Sequence, residues 1–482
     1  MLFRFGLLAA GMLVAAAAVK AQTIPQEVAA KAVELRDAAM RDTIAYELVE
    51  SLTMEVGPRP AGSAGDKAAV DWAVQMLTGL GFHNVRTEEV EVPHWNRGSL
   101  QAEITTPYPQ PLLAASLGGS PGTLGTGLEA NVVRVTSLDE LRALTRDEAG
   151  GRFVYIDHLM ERHKSGRGYS PASRIRSCGH YIAAERRAVG VIMRSAGTSA
   201  NRFPHTGSML NRDIPPTIPA IALSNADADL LSHQTATGEP VRVRLKSSAQ
   251  YLAPEISYNV IGEVPGQGHL ANEVVLLAAH LDSWDLGTGA IDDGAGVAIV
   301  TAAAKLIMDS GSAPRRTVRV LLTANEEFGL DGADQYAENQ AASIEDHVLG
   351  MEADFGAGRV WQFSSRVPEN KLGLVGEIHE LLAPIGLQLG GNKASGGADL
   401  GPLRKAGMPV LGMTQDGSKY FDYHHTADDT LDKIDRDDLN QNVAAYVTAA
   451  YVAAFIEADF GRIEPDTRPK RSCSAADDTW SS

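Results

Sequence analysis

The sequence predicts an α/β protein: a mixed, largely parallel sheet with helices on both faces, carrying a separately folded β-rich insert. Two observations predict it. From Asn259 onward short apolar runs alternate with segments of helical length and pattern, and strands alternating with helices mark a sheet covered on both sides. Between about 120 and 250 the texture changes to short β-like runs separated by Gly, Ser, Asn and Pro clusters, the pattern of a small β-rich unit.

In chain order, residues 26–56 carry helical periodicity without a breaker and are expected to form one helix, ended by Gly57-Pro58-Arg59-Pro60. A second amphipathic helix covers 64–80, closed by Gly79 and Gly81, and leads into an alternating strand over 83–92. In the insert, strands are expected at 153–156, 189–193, 220–223 and 241–245, interrupted by one helix at 178–188. Then come strands at 274–280, 317–324, 347–352, 360–363 and 410–414, with helices at 294–309, 332–342, 371–384 and 439–458. The pieces 22–119 and 251–464 are thus expected to form one domain around the 120–250 insert, and the polar tail 465–482 to be disordered.

The first 21 residues read as a leader. Arg4 is followed by an apolar run at 5–19, and Val19-Lys20-Ala21 offers a small residue for cleavage just before Gln22. Fifteen apolar residues are short for a bilayer span, so export is expected, to a secreted or periplasmic location, without stable membrane insertion. The formal net charge is −17, which disfavours nucleic acid because the surface repels phosphate. Cys178 and Cys473 are the only cysteines, and the sequence leaves open whether they pair. A homodimer is compatible with the chain.

The chemistry gathers at strand ends. His280-Leu281-Asp282 ends the apolar run 274–279, and Asp292-Asp293-Gly294 opens the next helix. One of those Asp residues is expected as a helix cap, but two adjacent carboxylates repel unless a cation separates them. Glu326-Glu327 ends another apolar strand, and a turn there is needed to aim both at one place, since neighbouring strand residues point opposite ways. Asp354 follows a third strand, and His424-His425 with Asp429 supplies a late imidazole and a carboxylate. Three successive strands therefore deliver His, Glu and Asp to one sheet edge, where open α/β sheets bind ligands. Five of these positions, His280, Asp292, Glu327, Asp354 and His425, suit two hard cations, with Glu326 spare as a general base. No HExxH, GxSxG or P-loop is present.

The segments AHLDSWDLGTGAIDDGAG (279–296), TANEEFGLDGA (323–333), GMEADFG (350–356), SGGADLGPLRKAGMP (395–409) and YFDYHHTADDT (420–430) carry a resemblance. The chain resembles the co-catalytic zinc peptidases, which include secreted bacterial aminopeptidases and glutamate carboxypeptidases, and within them the carboxypeptidase Q group. The resemblance implies a zinc-exopeptidase fold with a protease-associated insert and two zinc ions. It implies that Asp292 bridges them, that His280 and Asp354 complete one metal, and that Glu327 and His425 complete the other. Glu326 is then the general base for a metal-bound hydroxide, and Asp282 and Asp429 back the imidazoles of His280 and His425. A cis peptide between Asp292 and Asp293 is also implied. Where many relatives carry an oxyanion-stabilising Tyr, this chain has His424, with Tyr420 or Tyr423 as other donors. Ser395, Asp399 and Tyr423 are expected at the substrate.

The implied activity is exopeptidase hydrolysis of short peptides, most of all dipeptides. The alternatives are an aminopeptidase on longer peptides and a non-catalytic binding module on the same fold. The complete ligand set with Glu326 argues against the last.

Overall fold

The computed structural model describes residues 24–209, 216–466 and 473. The expected leader, and the expected disordered tail apart from 465, 466 and Cys473, lie outside the described residues. The main sheet contains β1 (His83–Val92), β2 (Glu255–Val264), β3 (Val274–His280), β4 (Thr317–Thr323), β5 (His347–Glu352), β6 (Val360–Arg366), β7 (Gln388–Leu389) and β8 (Val410–Gln415). Their order across the sheet is β1-β2-β4-β3-β5-β8-β6-β7. The central β4-β3-β5-β8 are parallel, while β1 and β2 on one flank and β6 on the other join antiparallel.

Strand alternation explains why both faces are dry. In β3, Val275, Leu277 and Ala279 enter one core, and Val274, Leu276 and Ala278 enter another. The first core is covered by α1 (Gln26–Ala39), α2 (Ile44–Glu55), α5 (Ala295–Met308) and α6 (Arg436–Phe455). Both α5 and α6 are rich in alanine and buried almost all round, because small side chains let helices pack closely on each other as well as on the sheet. On the opposite face, Tyr336 and Leu403 sit over the second core.

The single helix expected over 26–56 is two, α1 and α2. Asp42 breaks it: its carboxylate accepts from the Thr43 and Ile44 backbone N–H groups at 2.6 and 3.0 Å, capping a new helix start that periodicity alone does not reveal. The next helix, α3 (Ala64–Gly79), and β1 fall where expected.

The insert sheet draws strands from Leu100 to Ser247, so it begins about twenty residues before the expected 120. Its centre is parallel, Leu128–Val135, Phe153–Ile156, Gly190–Arg194 and Ala220–Leu223 in order. It carries more helix than one: Leu138–Ala143, Asn225–Thr235 and α4 (Tyr169–Glu185) among them. The expected helix at 178–188 is α4, which starts nine residues earlier. Pro171 falls in its first turn, where the missing N–H costs nothing. A ribbon pairing Trp95–Asn96 with Gln250–Tyr251 forms the neck between insert and body.

Cys178 of α4 and Cys473 form a disulfide, which settles the pairing left open by the sequence. Its Cα atoms lie 5.4 Å apart, an ordinary span for the bond. Among the described residues, no helix is long and apolar enough to cross a membrane.

Candidate metal centre

The parallel register sets His280 beside Thr323 and Ala278 beside Glu352, so the residues following β3, β4 and β5 emerge along one edge. Asn325, at φ 57°, turns the chain sharply off β4, a conformation asparagine tolerates well. That turn brings both Glu326 and Glu327 to the same cavity, which a straight strand cannot do. His425 also has positive φ, at 62°, and reaches the cluster from the far side of the sequence.

Asp292 is shared. Its Oδ1 lies 3.2 Å from His280 Nε2 and its Oδ2 lies 3.2 Å from His425 Nε2. Asp354 Oδ1 is 3.4 Å from His280 Nε2, and Glu327 Oε2 is 3.0 Å from His425 Nε2. Two three-residue groups thus meet at one carboxylate. The neighbouring Asp293, joined to Asp292 by a cis peptide bond, is the cap: its Oδ1 accepts from Gly296 N–H at 3.0 Å and its Oδ2 from His280 N–H at 3.2 Å. Asp292 faces the imidazoles, and Asp293 starts α5.

The donor set fits metal ions. Glu327 Oε1 is buried without a hydrogen-bond partner among the described residues, and such an orphan costs free energy unless a cation meets it. The electrostatics agree. Burial pushes His280 and His425 down, but the facing carboxylates outweigh it and hold both well above the usual imidazole value. Burial, with Asp292 beside it, pushes Glu327 up to about 7. Glu326 is driven well up by burial and then by Asp354. Glu326 and Glu327 keep protons while His280 and His425 take them, the mark of a site short of cations.

The structure corrects the outer partners. Asp429 does not back His425; it accepts from the Ile291 and Asp292 N–H groups at 2.6 and 3.2 Å and so holds the backbone of the shared carboxylate. The partner of His425 Nδ1 is the Thr206 carbonyl, at 3.2 Å, from the insert. His280 Nδ1 faces the Asp282 backbone carbonyl at 3.1 Å, with the Asp282 carboxylate 3.6 Å away; that carboxylate accepts from the Glu326 and Glu327 N–H groups at 3.0 and 3.3 Å. Asp282 thus positions His280 and Glu326 together.

His424 lines the cavity, stacked on His425 with ring centroids 3.5 Å apart. Burial and the adjacent His425 hold it well below the usual imidazole value, hence neutral. Ser395, Asp399 and Tyr423 are placed elsewhere. Ser395 is exposed, Asp399 is buried against Thr323 Oγ1, and the Tyr423 ring faces Lys433. None of the three lines the cavity. From this Gly-rich turn it is Ala398 that lines the cavity, a choice that motif position does not disclose.

Residue matches then fix the family. The model for peptidase family M28 matches residues 259–450. The carboxypeptidase Q of Bos taurus is 33% identical over 412 residues, covering 86% of this chain and 85% of that protein. The chain belongs to peptidase family M28. It is therefore a metallopeptidase. A crystal structure of a peptidase M28 precursor from Shewanella amazonensis SB2B superposes with a TM-score of 0.89 at 46% identity, covering 91% of this chain and 99% of that one. A zinc aminopeptidase from Bacillus subtilis, at 20% identity and a TM-score of 0.64 over 88% of this chain and 98% of its own, shares the fold.

In this M28 peptidase the support beneath the site centres on a residue the motifs do not contain. Arg59 is fully buried and donates to the carbonyls of Leu281, Gly57, Thr288 and Gly289 at 2.6 to 3.2 Å. It clamps the loop between His280 and Asp292. Gly289 permits this: at φ 62°, a Cβ there would lie 2.7 Å from the Arg59 guanidinium. The sequence signal was a cation between two prolines, Pro58-Arg59-Pro60, a rigid presentation read only as a helix stop. Arg59→Met leaves those carbonyls and the adjacent Asp429 without a cation, so it is expected to destabilise the fold by about 3 kcal/mol or more. Chemical denaturation checks this, and a loss under about 1 kcal/mol would remove Arg59 from that role.

The insert is part of the peptidase site. His205 Nδ1 donates to the His424 carbonyl at 2.7 Å, and Thr206 N–H donates to that of His425 at 2.9 Å. Arg162 grips both oxygens of Asp422, at 2.6 and 2.8 Å. These contacts tie the turn carrying His424 and His425 to the insert.

Proposed function

We propose that the chain is an exported di-zinc exopeptidase that hydrolyses short peptides, dipeptides above all. The observation that carries the reading is the meeting of His280, Asp354, Glu327 and His425 on the shared Asp292, with Glu326 on the wall of the same cavity. His280 and Asp354 would hold one ion, Glu327 and His425 the other, and Asp292 both. The Bacillus subtilis fold relative is a zinc aminopeptidase, and the mixed imidazole and carboxylate set suits that metal. When bound, the pair supplies Lewis acidity and a water acidified into the neutral range.

The remaining steps belong to the chain. Glu326 accepts the proton of the attacking water and returns it to the leaving amine. Asp282 holds the Glu326 backbone in place for that transfer. His424, neutral and on the cavity wall, is the donor for the carbonyl oxygen. Helix α4 walls one side of the cavity with Tyr169, Ser173, Arg176 and Ser177, residues spaced to share one helix face. The cavity volume is about 350 Å³, at the small end of ligand sites, about 300–1,000 Å³, and this supports short substrates.

The test is a panel on zinc-loaded protein: a dipeptide, its N-acetyl form and a tetrapeptide. The dipeptide is expected to be cleaved fastest, by on the order of tenfold or more over either of the others. Faster release of N-terminal residues from the tetrapeptide would move the reading to an aminopeptidase on longer chains, and cleavage of none would end it.

A further inference from the structure

The two pairs of side chains that meet on Asp292 are supported differently. His280 is held from within the body: its N–H donates to Asp293 and its Nδ1 to the Asp282 carbonyl. Among the described residues, none from the insert hydrogen-bonds to His280 or Asp354. Glu327 and His425, by contrast, are both reached by one network that runs into the insert.

At the Glu327 end, Trp284 donates its indole N–H to Oε2 at 2.5 Å. That bond spends one carboxylate oxygen and leaves Oε1, which is buried without a hydrogen-bond partner among the described residues, open to a cation. A hydrogen bond to an ionised carboxylate is of the stronger kind, and a partner of this sort fixes the orientation of a ligand. The indole is itself boxed in. It packs on Phe328 with ring centroids 4.9 Å apart, and Trp95 of the neck packs on the same Phe328 at 5.8 Å. From the insert, Gly118 meets its edge: a Cβ at 118 would fall 2.2 Å from Trp284 Cη2.

Arg97 joins this end to the other. Its guanidinium carbon lies 5.0 Å from the ring of Trp95 and 5.5 Å from that of Trp284, within reach of both π systems. Nε and Nη2 fork onto Asp285, beside Trp284, at 2.9 and 2.5 Å. Nη1 donates to the Ser116 carbonyl and, at 2.9 Å, to Thr206 Oγ1. Thr206 then holds His425 through its backbone, accepting from Nδ1 at 3.2 Å and donating to the His425 carbonyl at 2.9 Å. Neither Arg97 nor Trp284 lines the substrate cavity, and the charge of Arg97 is already answered by Asp285.

We propose that Arg97 and Trp284 are positioning residues for one metal alone. They set Glu327 and, through Thr206, His425, so the affinity for this ion depends on how the insert is seated. The ion on His280 and Asp354 is held by the body. This rests on the di-zinc reading above and makes its two sites unequal.

The experiment titrates zinc calorimetrically into the metal-stripped full chain, and the wild type is expected to take up two equivalents. Trp284→Phe keeps a packing ring but has no N–H to give. It should weaken one equivalent about ten- to hundredfold while the other keeps its wild-type affinity. Gly118→Ala, which displaces the indole from the insert side, and Arg97→Gln should weaken the same equivalent. Arg97→Lys should restore part of that loss, since an ammonium keeps the charge but cannot fork. Double variants assign the site: added to Asp354→Asn, Trp284→Phe should weaken the equivalent that remains, and added to Glu327→Gln it should change nothing. Wild-type affinity at the unaffected equivalent shows that a variant is folded, and three variants at separate residues keep the test alive if one of them does not fold. Equal weakening of both equivalents in the variants, or of neither, overturns the proposal and leaves the di-zinc reading standing. Fewer than two equivalents in the wild type overturns both.

Discussion

Glu326→Gln is expected to lower peptide hydrolysis on the order of a thousandfold while zinc content stays at the wild-type level. The reason is the division of labour between adjacent residues. Glu327 faces His425 at 3.0 Å and receives Trp284 Nε1–H at 2.5 Å, so its carboxylate is engaged with the imidazole cluster. Glu326 lines the cavity and makes no contact with either imidazole of the cluster at ion-pair distance. An amide at 326 keeps size and hydrogen-bonding capacity but cannot accept the proton. Metal analysis by atomic absorption beside initial rates checks both halves. Activity within about tenfold of wild type would take Glu326 out of the base role, and a loss of zinc would make it a ligand.

Much of the fold was legible because it follows from period and burial. Strand β3 reads as a continuous apolar run because both of its faces are dry, and Val274–His280 is placed to the residue. The same holds for His347–Glu352 and for Ala220–Leu223 in the insert. Breaks made by one polar side chain were not legible: Asp42 caps α2 with its own carboxylate, and only geometry shows that it does. The start of the insert was hidden for a different reason. Its early strand Leu100–Thr106 is half exposed and carries Gln, Glu and Thr, so it lacks the apolar signature of a central strand.

The site divides in the same way. Residues delivered by strand ends could be gathered on paper, because parallel strands have one carboxyl edge. The members supplied through backbone carbonyls could not. Thr206 supports His425 through its carbonyl oxygen, a group every residue has. Asp429 lies close enough in sequence to His425 to look like its partner, yet Asp429 turns to the Ile291 and Asp292 amides instead. Sequence distance measured proximity correctly and direction wrongly.

Removing the metal is expected to leave a protein whose stability falls as pH rises from 6 to 8, opposite to acid denaturation. Without cations Glu327 is pushed up to about 7, chiefly by burial, and Asp429 also to about 7, by burial and then by Asp292. A folded-state value above the unfolded one means that the folded form holds protons the unfolded chain has lost. The resulting stability is complete at low pH and disappears as pH climbs through the folded value. His280 and His425, held well above the usual imidazole value by the facing carboxylates, act with the same sign. Each displaced unit is worth about 1.4 kcal/mol, so a chelator should destabilise the protein more at pH 8 than at pH 6. Zinc reverses the dependence, since ligands must be deprotonated to bind it. With both imidazoles charged in the stripped protein at pH 7, reloading should release about two protons or more. Thermal melts with and without chelator at the two pH values test the first claim. Calorimetric titration of zinc in buffers of different ionisation enthalpy tests the second, and reloading without proton release would mean that His280 and His425 are already neutral before the metal arrives.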